Sequence, residues 1–100
     1  MLDIRDNALI LMKEFLGKIS ENFRIIWIAQ DEECLNIHVV LEHESERDKK
    51  NLESIANSLE RIYKDTQKFI LETTIGSERI RDIPAAKRAI LYGRREDQCN

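Results

Sequence analysis

The chain has 100 residues, of which 42% are hydrophobic and 35% charged, with one proline, three glycines and a formal net charge of −3. That balance is too apolar for a disordered segment and too charged for a membrane span, and the length suits one folded domain, residues 1–100 with an ordered core over about 3–95. A domain of this size buries roughly 60–70% of the surface its unfolded chain exposes, so it requires neither disulfides nor a structural metal.

No run approaches the ~18 apolar residues of a spanning helix. The N-terminus also lacks the basic region, apolar core and cleavage site of a signal peptide. Both observations point to a cytoplasmic protein without a membrane partner. Cys34 and Cys99 stand far apart with no second pair nearby, and read as free thiols rather than as a zinc site or a disulfide.

Residues 3–20 read as an amphipathic helix that Asp3 or Asp6 can cap. Ala8, Leu9, Met12, Phe15, Leu16 and Ile19 recur at three- and four-residue steps as its apolar stripe, which Leu11 widens. Two extended segments follow, residues 23–30 and 34–42, joined by the acidic link Asp31-Glu32-Glu33 as a β-hairpin. In the first, Phe23, Ile25, Trp27 and Ala29 share one face and Arg24, Ile26, Ile28 and Gln30 the other. Apolar residues on both faces mark a central strand. In the second, Leu35, Ile37, Val39 and Leu41 point inward, while Cys34, Asn36, His38, Val40 and Glu42 point outward.

Ser45 is a good helix cap, and Leu52, Ile55, Ala56, Leu59, Ile62 and Tyr63 give a clear helical period over residues 45–63. At 1.5 Å per residue this helix is ~28 Å long, enough to lie along a hairpin of eight-residue strands, ~27 Å. Residues 67–75 read as a third strand, ended by Gly76-Ser77. Residues 77–87 read as a loop with one helical turn after Pro84, residues 88–94 as a last strand, and the remainder as a tail. The order α-β-β-α-β-β predicts an α+β domain: a four-stranded, mainly antiparallel sheet with two helices packed on one face. The other face, or an unpaired edge strand, is left for a partner or for a second copy in a homodimer.

Charge is unevenly spread. Residues 1–65 carry a net −5 and residues 66–100 a net +2. Asp31, Glu32 and Glu33 fall at the tip of the expected hairpin and Glu42, Glu44, Glu46 and Asp48 at its far end, two edges of one binding face separated by a strand, with Arg47 as the single base among them. Such an acidic rim attracts basic partners and repels nucleic acid, although it can equally be a device for solubility. The basic C-terminal residues Arg79, Arg81, Lys87, Arg88, Arg94 and Arg95, with Tyr92 as a stacking ring, allow an alternative reading as a small nucleic-acid-associated regulatory protein. A pI of about 5.4 argues against nucleic acid as the partner.

Catalytic chemistry finds little footing. No nucleophile has a recognisable base beside it, and Gly17, Gly76 and Gly93 are too scattered for a phosphate loop or another cofactor motif. Glu42-His43-Glu44 supplies metal-ligating residue types, but three or four converging groups are needed, and a solvated strand end is the simpler reading. A metal-dependent nuclease around Glu42 and His43 is a third possibility.

One pattern spans nearly the whole chain. Glu21-Asn22-Phe23-Arg24 leads into the hairpin, and Ser45, Glu46 and Asp48 open the second helix. Ile83-Pro84 precedes the closing Ile90-Leu91-Tyr92-Gly93-Arg94-Arg95-Glu96. In this pattern the chain resembles small bacterial immunity proteins of polymorphic-toxin and contact-dependent growth inhibition systems. It departs from them at Lys49-Lys50, where a more acidic helix surface is expected. The resemblance implies a non-enzymatic antitoxin that binds the C-terminal domain of a cognate toxin, often a nuclease. The residues expected to make the contact are Asp31, Glu32, Glu33, Glu42 and Glu44, with His38 on the sheet face.

Overall fold

The computed structural model describes residues 2–31, 33–76 and 88–93. In chain order the elements are α1 (Ile4–Phe15), β1 (Phe23–Gln30), β2 (Cys34–Leu41), α2 (Glu46–Tyr63), β3 (Lys68–Ile75) and β4 (Arg88–Gly93). The strands form one sheet in the order β3-β2-β1-β4. β1 pairs antiparallel with both β2 and β4, whereas β2 and β3 run parallel, because α2 returns the chain to the start of the sheet between them. The sheet is therefore mixed, with two of its three pairings antiparallel. The expected loop over residues 77–87, residue 94 of the expected last strand and the tail from residue 95 lie outside the described residues.

α1 is capped by Asp3, whose side chain accepts from the Asp6 amide at 3.0 Å. It stops five residues before the expected end. Leu16 leaves helical geometry and Gly17 turns the chain at φ +79, a left-handed conformation that glycine adopts without strain. The expected apolar stripe is also rotated. Leu9, Met12 and Leu16 of that stripe are exposed; Phe15 and Leu11 are buried as expected, and Asn7 joins them. A polar residue at the head of the buried row is missed by a hydrophobicity count.

The core lies between the two helices and one face of the sheet. Leu11 and Phe15 from α1 and Leu52, Ile55, Leu59 and Tyr63 from α2 meet Ile26 and Ile28 of β1 and the inward row of β2, Leu35, Ile37, Val39 and Leu41. Each such side chain, fully buried, contributes roughly 1.5–3 kcal/mol of apolar transfer energy. A register shift between Phe23 and Ile25 places Phe23 in the core with Ile26 and Ile28. Strict alternation had grouped it with Ile25 and Trp27, and the bulge removes that grouping.

Asn7 is fully buried without cost because every polar atom of its amide is used. Its Nδ2 donates to Gln30 Oε1 at 2.8 Å and to the Leu2 carbonyl at 3.3 Å, and the Tyr63 hydroxyl donates to its Oδ1 at 2.9 Å. This network ties the start of α1 to the ends of β1 and α2, so the two helices run antiparallel.

Candidate functional site

The two acidic groups lie at opposite ends of the hairpin, as the sequence places them, ~27 Å apart for strands of eight residues. At the tip, Asp31 is a turn-former. Its Oδ1 accepts from the Glu33 amide at 3.0 Å and the Cys34 amide at 2.8 Å, closing the link between β1 and β2. Glu33 is exposed there, and Glu32 lies outside the described residues. Cys34, half-buried beside the tip, donates its thiol to the Leu35 carbonyl. Burial and the neighbouring Asp31 carboxylate push that thiol above its ordinary range, which disfavours the reactive thiolate.

At the other end the chain is latched by Asn22 and Asp48. Asn22 Oδ1 accepts from the His43 amide at 2.9 Å, and its Nδ2 donates to the His43 carbonyl at 2.7 Å and to Asp48 at 2.9 Å. Asp48 also accepts from the Ser20 hydroxyl at 3.0 Å, while its amide donates to the capping Ser45 hydroxyl. Asp48 is only 2% exposed, so it is a structural carboxylate in the first turn of α2 rather than part of a charged rim. Glu42 is half-buried at the end of the hairpin, and Glu44 and Glu46 are exposed beyond it.

These last glutamates border a groove the sequence did not show. α2 covers β2 and leaves the helix-side face of β3 partly bare, with Leu71 half-buried and Thr73 and Ile75 exposed. The resulting cavity, about 640 Å³, has Leu41, Leu52, Ala56, Leu71 and Ile75 as its apolar lining. Glu44, Glu46, Glu53 and Lys49 stand around it. Glu46, Lys49, Glu53 and Ala56 recur at three- and four-residue steps, so they form one flank of α2, the flank that looks over β3. The signal missing from the sequence was the lateral position of α2, which helical periodicity does not encode.

His38 lies mid-sheet on the face away from the helices. Its ring stacks on Trp27 with centroids 4.1 Å apart and planes 6° from parallel, and its Nδ1 is 3.5 Å from Glu72 Oε1. Trp27, His38 and Glu72 are register partners across three strands. The structure thus places Glu42 and Glu44 at one end, Asp31 and Glu33 at the other, and His38 on a separate face. Among the described residues no three His, Cys, Asp or Glu side chains converge as a metal site, and no helix is long and apolar enough to cross a bilayer.

A family model described as MafI2 immunity protein matches residues 6–96, nearly the whole chain, including both helices and all four strands. The chain belongs to the MafI2 immunity protein family. The resemblance carried by the Asn22-Phe23 and Ser45-Glu46 motifs therefore held. The motifs are the fold's own fastenings, since Asn22, Ser45 and Asp48 are the groups that latch the hairpin to α2. No curated protein and no solved structure matches the chain. As an immunity protein, it has a cognate toxin as its partner.

Proposed function

We propose that this immunity protein is a non-enzymatic antitoxin that neutralises the C-terminal domain of a cognate toxin, a nuclease, by stoichiometric binding. Membership of the immunity family over residues 6–96 carries the reading. The chemistry of the surface supports the choice of a nuclease. Glu44, Glu46 and Glu53 outnumber Lys49 around the groove, where carboxylates can stand in for nucleic-acid phosphates before a basic cleft. Glu42 and Glu44 are the sequence-derived contact residues at the end of the hairpin beside it. Glu33 belongs to a second edge at the hairpin tip, where Asp31 positions the turn, and His38 belongs to the sheet face.

The test is calorimetric titration of the protein into the catalytically inactivated toxin domain encoded beside it. One-to-one binding with a Kd in the nanomolar range or below, about −12 kcal/mol, and weakening as salt rises, is the expected result. Absence of binding at micromolar concentrations overturns the pairing. Charge reversal at Glu42 and Glu44 should slow association at low salt, and unchanged kinetics would remove the acidic end from the interface.

A further inference from the structure

We propose that the toxin inserts an extended segment along β3, adding a strand to its outer edge and seating alternate side chains in the groove beneath the flank of α2. The proposal rests on the antitoxin reading and specifies how the partner is held.

The first observation is the edge itself. Among the described residues β3 pairs only with β2. Edge strands are commonly blunted by shortness, proline or bulges, and β4 is both shorter and interrupted by a register shift against β1. β3 has none of these. It runs eight residues in unbroken register with β2, from Cys34↔Lys68 to Leu41↔Ile75. Five of its eight residues, Phe69, Ile70, Thr73, Thr74 and Ile75, are of the aromatic and β-branched types that favour strand. Its two charges, Lys68 and Glu72, share the face away from the helices, because they alternate with Phe69, Leu71, Thr73 and Ile75.

The second observation is the groove on the uncharged side of that edge. In strand addition, main-chain hydrogen bonds supply affinity and pockets for alternate side chains supply specificity. Here the pocket floor is apolar, and three glutamates against one lysine line its upper half. A separate cavity of about 760 Å³ lies by the last turns of α2 and the start of β3, where Arg61 and Lys64 stand against Glu60. The occupant that fits is an extended segment with apolar side chains facing inward and basic residues at the Glu44, Glu46 and Glu53 end.

The experiment measures toxin binding and amide exchange together. Wild-type binding comes first, since its absence refutes the antitoxin reading and this proposal with it. If the wild type binds, E53K combined with A56R should weaken the complex about a hundredfold or more, by reversing a charge and filling the floor. K13E, at an exposed position of α1, should stay within about threefold. K49E should tighten binding, the opposite sign, because it removes the one base from the acidic half. E53K alone alters only an exposed side chain and keeps the test valid if A56R disturbs folding. In the complex, amides within Lys68–Ile75 should exchange more slowly. Unchanged exchange there, or E53K/A56R binding within threefold of wild type, overturns the proposal. So does slowed β3 exchange without toxin that follows dimerisation in light scattering, which would make a second copy of this chain the occupant.

Discussion

Asp48 offers the sharpest separation between a carboxylate that holds the fold and one that meets a partner. Asp48→Asn keeps the shape but removes the charge. Its amide can accept from Asn22 and donate to the Ser20 hydroxyl, so what disappears is the charge assistance of bonds at 2.9 and 3.0 Å and the favourable position in the first turn of α2. Charged hydrogen bonds exceed neutral ones by roughly 1 kcal/mol, and the helix-terminus effect adds about 0.3–1 kcal/mol, for a loss near 1.5 kcal/mol. Asp48→Ala removes the acceptors altogether and opens space at a site that is 2% exposed. It leaves the Ser20 hydroxyl without its partner, and the expected loss is about 3 kcal/mol. Against a total stability of roughly 5–15 kcal/mol, both changes are large. Urea unfolding followed by Trp27 fluorescence should show the alanine midpoint falling by about 1–2 M, with the asparagine variant between it and wild type. An alanine variant no weaker than the asparagine one, or an asparagine variant within 0.5 kcal/mol (about a twofold change in equilibrium constant) of wild type, would refute the latch. Glu46→Gln, one turn away in charge but exposed, should lie within about 0.5 kcal/mol of wild type.

Burial pushes the Tyr63 phenol up to about 12. The unfolded chain therefore loses that proton near its ordinary pKa of about 10, before the folded chain does, so the stabilisation is complete below pH ~10 and falls by up to about 2–3 kcal/mol as pH rises toward ~12. Tyr63→Phe should lack that alkaline slope in urea titrations, and should lose about 1–2 kcal/mol at neutral pH because Asn7 Oδ1 is left without its donor. Gly17→Ala should cost about 1 kcal/mol in thermal unfolding: a β-carbon there meets nothing within 4 Å, so the penalty is purely that of a left-handed backbone. Leu11→Ala should cost about 2–5 kcal/mol, whereas Leu16→Ala, at a side chain 79% exposed, should change stability by less than about 0.5 kcal/mol. Equal effects would put the buried face of α1 elsewhere.

The elements whose formation is governed by local patterning were legible in the sequence. The alternation of β2, the Ser45 cap and the period of α2 all act over a few residues, and the structure keeps them within a residue of expectation. What was not legible depends on contacts between distant residues. Asn7 occupies the buried row of α1 because Gln30 and Tyr63 satisfy its amide, and neither is near it in sequence. The bulge that sends Phe23 inward is visible only in the pairing with β2. The candidate site divides in the same way. Counting acids found Glu42 and Glu44, and also Asp48, which its partners remove from the surface. Glu53 escaped notice because its importance comes from the bare flank of β3 beside it.

The position of β1 has a consequence for synthesis. One of its neighbours, β2, follows after a three-residue link, and β3 joins as soon as α2 has carried the chain back. Its other neighbour is the last strand made: Ile25 waits for Gly93, and Ala29 for Arg88. A ribosome must therefore release β2, α2, β3 and β4 before the central strand is covered on both sides. Until then a nascent chain exposes an edge composed of Ile25, Ile26, Trp27 and Ile28, and complete protein emerges from a closing step that joins the most distant parts of the sequence.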